Sequence, residues 1–248
     1  GSVAGTRSRT CAISVASHAA RRARFEPMLI PFPKTPAPYA IPGFEHAEHP
    51  ADALERVILA EDPETVAAFI CEPVVGAAGG ALVPVDDFWP RAREICSRYG
   101  VLLIADEVMS GFGRTGKKFA VEHWGVEPDI LVGGKGLSGG YAPIGGVYAS
   151  EAVVAPLAAE RQDLMFYTYS GHPASCAVAD KVLEIMERED LVARSERMGA
   201  LLRQRLDSLA DHPNVAEIRG LGLMLGVEFV KDRRTMERFP AEAKFAVR

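Results

Sequence analysis

A lysine among glycines is the first residue in this sequence whose type and position suggest chemistry. In "DILVGGKGLSGG", residues 129–140, apolar and small residues run from an aspartate to Lys135. An ammonium group that leaves water without a partner loses much of its favourable hydration. Lys135 therefore either reaches solvent or has a chemical role.

An acidic partner is suggested by a second strand pattern. The stretch "VLLIADE", residues 101–107, ends in Asp106 and Glu107. In a parallel sheet the carboxyl ends of neighbouring strands share one edge, where open α/β sheets bind ligands, so Asp106 and Lys135 are expected to face one pocket. Each residue alone has an ordinary interpretation, since an acid often caps a helix and a lysine in a glycine turn is usually solvated. Their combination favours a site.

A lysine and an acid at one edge suit pyridoxal 5'-phosphate chemistry. The lysine amine forms a Schiff base with this cofactor, and the acid pairs with the pyridinium nitrogen, which keeps the ring protonated and makes it an electron sink. Glycines on both sides of Lys135 let the backbone approach a bulky cofactor closely.

Other motifs do not fit this sequence. "GGKGLSGG" lacks both the GxxxxGK spacing and a Ser or Thr directly after the lysine, which argues against a P-loop. "GLGLMLG", residues 220–226, does not have the spacing of a dinucleotide fingerprint. The six histidines show no metal-ligand spacing, so no metal site is predicted.

Alternating patterns predict the elements that must position the pair. Strands are predicted at residues 12–16, 65–73, 101–107, 129–133 and 145–150, helices at 51–60 and 86–100, and an irregular extended segment at 31–50. The helix at 86–100 is expected to begin with an N-cap acid and to end at Gly100. Buried strands that alternate with amphipathic helices indicate an α/β fold with a mostly parallel sheet.

The character of the sequence changes after Gly171. Two long amphipathic helices are predicted at 172–190 and 191–213, followed by two short strands around a glycine turn at 215–230. We therefore expect residues 1–190 to form part of a large domain, and residues 191–248 to form part of a small α+β C-terminal domain.

Composition narrows the class of ligand. The chain has 248 residues, a formal charge of −5 and 25% charged residues, which gives no general attraction to nucleic acid or anionic lipid. No run of about 18 apolar residues could span a membrane, so a small molecule is the expected partner. Four cysteines without CxxC spacing are expected to be reduced core residues of a cytoplasmic protein. The arginine-rich start fits a fragment that begins inside a domain better than a targeting peptide.

Residues 102–147, "LLIADEVMSGFGRTGKKFAVEHWGVEPDILVGGKGLSGGYAPIGGV", resemble the signature of the class III pyridoxal-phosphate-dependent aminotransferases of fold type I. The stretches at 67–80, 168–177 and 219–229 extend this resemblance. It implies an aminotransferase, of the ω-amino acid type, that moves an amino group between an amine or amino acid and an oxo acid. It also implies a homodimer with a shared active site.

The resemblance assigns roles to individual residues. Lys135 matches the Schiff-base lysine, and Asp106 matches the acid that pairs with the pyridine nitrogen. Val108 matches the residue packed on one face of the ring. Thr168 matches the hydroxyl that reaches the cofactor phosphate of the neighbouring subunit, and Glu72 matches a glutamate on the substrate side.

Several points remain open from the sequence. Arg114 either takes part in the site or only braces a loop, and His172 is expected to cap a helix. The family's phosphate-binding helix start, an anion site of backbone amides, is expected before Gly1. An aminomutase or a decarboxylating relative would use the same lysine and aspartate. A truncated, non-catalytic chain that retains the fold is the alternative from a different class.

Overall fold

The computed structural model describes residues 12–16, 19–39, 46–160 and 167–243. Cys11, His18 and residues 40–45 of the predicted extended segment lie outside this part of the chain. Besides the helical residues 12–15, the described α-helices are α1 (Ala19–Arg22), α2 (Pro50–Ala60), α3 (Phe88–Arg98), α4 (Glu151–Ala159), α5 (Pro173–Arg188) and α6 (Leu191–Asp207). The strands are β1 (Ala68–Cys71), β2 (Leu102–Asp106), β3 (Ile130–Gly133), β4 (Gly146–Ala149), β5 (Val215–Leu221) and β6 (Met224–Phe229).

Four of the described strands form a sheet in the order β1-β2-β3-β4. The first three strands are parallel, and β4 runs antiparallel to β3. The register places Cys71 beside Ala105, and Asp106 beside Val132. The predicted α/β fold with a mostly parallel sheet is confirmed, and the carboxyl ends of β1, β2 and β3 meet at one edge.

The main core lies between the sheet and the helices α2 and α3. Phe88, Ala92 and Ile95 of α3 are buried, as their helical spacing predicts, and they pack with Leu54 of α2 and Leu103 of β2. Burial of both helices against β2 fixes the position of the strand that ends in Asp106.

The N-cap prediction for α3 is only half right. Asp87 occupies the N-cap position, but its side chain makes no capping hydrogen bond to the helix. Its carboxylate instead bonds His49 Nε2 at 2.9 Å, while His49 Nδ1 accepts a hydrogen bond from Ala51 N and caps α2. Asp87 therefore connects the starts of two helices, a role that local spacing does not reveal.

Two strand predictions need correction. Residues 12–15 are helical, and the side chains of Arg22 and Lys34 bond the main-chain carbonyl of Ser14. In so short a window, apolar periodicity does not separate a strand from a helix. β1 is not buried, since exposed and half-buried residues alternate along it. It is the first strand in the order of the described sheet, so one side of it has no partner strand there.

The helices and hairpin predicted after Gly171 are confirmed. His172 caps α5 by accepting a hydrogen bond from Ser175 N, as expected. β5 and β6 form an antiparallel hairpin that turns at Gly222, where φ is +54°. A domain boundary near Leu191 stays a prediction.

The cysteines are free in the described part of the chain, but they do not all lie in the core. Cys96 is buried and Cys71 is half-buried, whereas Cys176 is exposed on α5, contrary to the expectation of a core residue. No helix in the described ranges is both long enough and apolar enough to cross a membrane.

Candidate active site

Lys135 lies in a strained turn directly after β3. It begins a 3-10 helix, Lys135–Ser138, with φ of 38°, a value that residues with a Cβ rarely adopt. Leu137 N donates to Gly134 O at 2.9 Å, and the Ser138 hydroxyl donates to Ala142 O at 2.6 Å, so the neighbouring residues hold the turn. The Lys135 ammonium is exposed and forms no hydrogen bond or ion pair with any residue that the structure describes.

Asp106 ends the neighbouring strand and is half-buried. Its Oδ1 accepts a hydrogen bond from Val108 N at 3.1 Å, and Oδ2 accepts none from the described residues. Glu107 N donates to Val132 O at 2.9 Å, which ties the end of β2 to β3. Asp106 and the turn that carries Lys135 therefore lie at the same edge of the sheet, as predicted.

Glu107, next to Asp106, has a different environment and is fully buried. Its carboxylate accepts hydrogen bonds from the Ser110 hydroxyl at 2.5 Å and from Val121 N at 2.9 Å. Burial raises the pKa of Glu107 above its ordinary value, and these hydrogen bonds oppose the rise. Glu107 thus anchors the loop 108–121 to the end of β2 and does not share the exposed edge.

Glu72 follows β1 and reaches the same edge. It is half-buried, and its Oε2 accepts a hydrogen bond from Gly76 N at 3.0 Å. Burial raises the pKa of Glu72, and the charge of Asp106 adds to the rise, while the bond from Gly76 and the positive charge of Lys135 oppose it. Because β1, β2 and β3 are parallel neighbours in this register, Glu72, Asp106 and Lys135 lie at one edge of the sheet and face a common space.

Two apolar side chains line this space. Val108 is half-buried and lies over Gly134, where an added Cβ would be 3.6 Å from Val108 Cγ1. Met109 lies on Gly76, and a Cβ there would be 2.6 Å from Met109 Cγ. Val108 thus flanks the turn that carries Lys135, while Met109 covers the residue that binds Glu72. Sequence reasoning did not find the contact between Gly76 and Glu72, because neither residue type is unusual at its position.

Thr168 is not brought to this group by any hydrogen bond in the described residues. It lies in an exposed turn, Tyr167–Ser170, in which Tyr167 N bonds the Ser170 hydroxyl at 3.0 Å. The structure thus gathers four of the five predicted site residues, Glu72, Asp106, Val108 and Lys135.

Arg114, in the motif "GFGRTG", acts through its backbone. Its side chain is exposed, while its carbonyl accepts hydrogen bonds from the Ser195 hydroxyl of α6 and from Leu223 N, both at 3.1 Å. The sequence left open whether Arg114 takes part in the site or only braces a loop, and the structure favours the second interpretation.

Comparison with known proteins places this arrangement in a family. The family profile described as aminotransferase class-III matches residues 7–246. The chain belongs to this family. Class III aminotransferases depend on pyridoxal phosphate, and the α/β fold found here is that of the fold type I enzymes.

Curated relatives and solved structures agree with the family assignment. The chain is 39% identical over 238 residues to YodT, an uncharacterized aminotransferase of Bacillus subtilis, and 44% identical over 190 residues to putrescine–pyruvate aminotransferase of Pseudomonas aeruginosa. These matches cover 93% and 76% of this chain, but 54% and 41% of the relatives. A thermostable omega transaminase mutant from Pseudomonas jessenii superposes with a TM-score of 0.82 at 40% identity, over 93% of this chain and 53% of that one. The chain thus spans about half the length of these proteins.

Proposed function

We propose that this chain is the part of an aminotransferase that carries the cofactor lysine. The proposed reaction moves an amino group between an amine or amino acid, of the ω-amino acid type, and an oxo acid. The observation that carries the proposal is a lysine held in a strained turn, without an ionic partner among the described residues, beside the half-buried Asp106. Named relatives include putrescine–pyruvate, diaminobutyrate–2-oxoglutarate and gamma-aminobutyrate transaminases, which supports this class of substrate.

The residues at the sheet edge fit pyridoxal 5'-phosphate. When bound, this cofactor supplies an electron sink conjugated to the reacting amine. Asp106 retains an oxygen that is free of hydrogen bonds from the described residues and suits a protonated ring nitrogen. Val108 supplies an apolar surface beside the turn that carries Lys135, as a ring face requires.

Each side chain has a distinct task in this proposal. The Lys135 amine holds the cofactor before reaction and afterwards moves a proton at the substrate carbon. Asp106 would pair with the protonated ring nitrogen of the bound cofactor, and its negative charge would hold that proton in place. Glu72 lies on the substrate side, and Thr168 binds the cofactor phosphate of a second copy in a homodimer. The division of the chain at Leu191 into parts of two domains belongs to the same proposal.

A labelling experiment tests this proposal directly. The purified chain is mixed with pyridoxal phosphate, its visible spectrum is recorded, and borohydride reduction is followed by peptide mapping. We expect a coloured adduct that becomes a stable label on Lys135. A chain that gives no adduct, or label spread over surface lysines, would overturn the proposal and favour a non-catalytic chain that retains the fold.

Two substitutions sharpen the same experiment. Lys135→Ala should abolish the labelled peptide and leave the circular dichroism spectrum unchanged, because the side chain points away from the core. Lys181→Ala is the matched control, since Lys181 is an exposed lysine of α5 that pairs only with Glu184 among the described residues. It should leave the label on Lys135 intact, and equal loss in both variants would count against a specific site.

A further inference from the structure

Arg219 of β5 is a nearly buried arginine whose side chain joins its own hairpin to a distant loop. Only 8% of its surface is exposed. Its guanidinium donates four hydrogen bonds, to Gly80 O (3.0 Å), Gly79 O (2.8 Å), Glu217 Oε2 (2.9 Å) and Glu228 Oε2 (2.7 Å). The two carboxylates neutralise the buried charge, and the two carbonyls connect the hairpin to a distant loop.

That loop, residues 76–80, is termed the glycine loop. It is closed at its base by Val75 N, which donates to Leu82 O at 2.9 Å, and internally by Gly80 N, which donates to Gly76 O at 2.8 Å. Its first residue, Gly76, donates its amide to Glu72. The glycine loop is thus held by Arg219 at one end and binds the Glu72 carboxylate at the other.

The contact between the hairpin and the glycine loop is close and direct. A Cβ added at Gly226 of β6 would lie 2.3 Å from Gly80 O, so no side chain fits between the two backbones. A guanidinium offers five N–H donors in one plane, and four of them bond four acceptors here. A lysine ammonium has three donors and cannot satisfy the same set.

We propose that Arg219 is a positioning residue for Glu72. By fixing the glycine loop it places the Gly76 amide against the Glu72 carboxylate, and so determines where that carboxylate lies at the sheet edge. The significance for substrate binding rests on the function proposed above, but the positioning itself does not. In this arrangement the β5–β6 hairpin, which is separate from the four-stranded sheet, sets the geometry of a residue at the site.

Charged and polar groups face Glu72 from several elements. Asp106 comes from β2 and Lys135 from the turn after β3, while the Tyr39 hydroxyl donates to Glu72 O at 3.0 Å and lies near the half-buried Cys71. None of these groups contacts Arg219 through a hydrogen bond in the described residues. A change at Arg219 therefore reaches Glu72 through the glycine loop.

Titration of Glu72 tests the positioning without any cofactor. The full chain is labelled with ¹³C at the glutamate carboxyl carbons, and the Glu72 signal is assigned by its loss in Glu72→Gln. Because the Gly76 amide lowers the pKa of Glu72, we expect Arg219→Ala to move the titration midpoint upward. Arg219→Lys, which keeps the charge but not the planar donors, should give a smaller upward shift.

A matched control separates positioning from general loss of stability. Arg93 is another partly buried arginine, paired with Asp129 at 2.7 Å and away from the glycine loop. Arg93→Ala should lower stability and leave the Glu72 midpoint unchanged. An unchanged midpoint in folded Arg219→Ala would overturn the proposal. If that variant does not fold, Arg219→Lys decides in the same way.

The two proposals can fail separately. A chain without a specific label on Lys135, but with a shifted Glu72 midpoint in Arg219→Ala, would refute the aminotransferase function alone. A labelled Lys135 with an unmoved Glu72 midpoint would refute the positioning role alone.

Discussion

A residue with a Cβ loses roughly 1 kcal/mol of stability when its backbone is left-handed, whereas glycine adopts the same conformation without this cost. Lys135 nevertheless has φ of 38°, and its exposed side chain contributes no hydrogen bond or ion pair within the described residues. Stability therefore does not explain a lysine at this position. Strain of this kind is typical of functional sites, where the rest of the fold maintains a geometry that chemistry requires.

The strain at Lys135 predicts how substitutions at this position change stability. Lys135→Gly should have a higher free energy of unfolding than Lys135→Ala, by about 1 kcal/mol, because only glycine adopts positive φ without steric cost. Both variants should lose the label on position 135. Urea unfolding of the pair measures the difference, and an alanine variant as stable as the glycine one would argue against strain.

The buried Glu107 is expected to make the free energy of unfolding depend on pH. Burial raises the pKa of Glu107 in the folded chain, so the folded state binds the proton more tightly than the unfolded state. This contribution to stability is fully present below the unfolded pKa and is lost as the pH rises through the folded pKa. Glu107→Gln should lack that loss, because its amide stays neutral and still bonds Ser110 and Val121.

Comparing the pH dependence of the wild type with that of Glu107→Gln isolates the contribution of Glu107 to the free energy of unfolding. Free energies of unfolding measured from about pH 4 to 7 should fall more with rising pH in the wild type than in Glu107→Gln. Parallel curves would show that Glu107 does not titrate differently on folding. Glu127→Gln, at a charged and exposed position before β3, serves as the control.

Glycines lie at the close contacts between α6, the turn of the β5–β6 hairpin and the loop that follows β2. Gly199 of α6 faces the hairpin turn, and a Cβ there would lie 2.3 Å from Gly222 O. A Cβ at Gly222 would in turn lie 2.3 Å from the carbonyl carbon of Thr115. Three backbones thus approach one another with no room for a side chain, which fixes the hairpin against the loop that follows β2.

Because of this contact, Gly199→Ala is expected to change stability in the direction opposite to that expected from helix propensity. Gly199→Ala would raise stability by about 1 kcal/mol if only propensity mattered. We expect it to lower the free energy of unfolding by about 2 kcal/mol, because overpacking of a close contact outweighs propensity. Ala200→Gly, at an exposed position of the same helix, should lower the free energy of unfolding by about 1 kcal/mol. This variant measures the effect of helix propensity alone. Stabilisation by Gly199→Ala would refute the contact.

At the scale of elements, periodicity predicted most of the fold. The spacing of apolar residues was sufficient for α2, α3, α5 and α6, and the strand-end rule brought Asp106 and Lys135 to one edge. The exposure of β1 could not be predicted, because it depends on which strand ends the sheet. The bond between Arg219 and Gly80 joins residues 139 positions apart, and no local pattern encodes it.

The whole molecule exposes large apolar side chains. Tyr141 and Tyr169 are 84% and 81% exposed, and Val147 of β4 is 70% exposed. Single exposed apolar residues are common, but Val147 lies on β4 and Tyr141 follows the short helix that begins at Lys135. β4 also ends the order of the described sheet, and an unpaired strand edge favours association.

This surface predicts association of the chain in solution. On a sizing column the purified protein should elute ahead of a 27 kDa monomer, and increasingly so at higher concentration. Val147→Lys places a charge on the exposed strand and should shift elution toward the monomer. A monomeric profile for the unmodified chain at all concentrations would contradict the prediction.

The sheet order also bears on how the chain acquires its structure. In the described sheet each strand after β1 pairs with the strand that precedes it in sequence, so the sheet can grow strand by strand as the polypeptide leaves the ribosome. The arginine that holds the glycine loop is synthesised far later than the loop itself. During synthesis the strand ends that carry Glu72, Asp106 and Lys135 therefore form first, and the final geometry of Glu72 is set only when the hairpin docks.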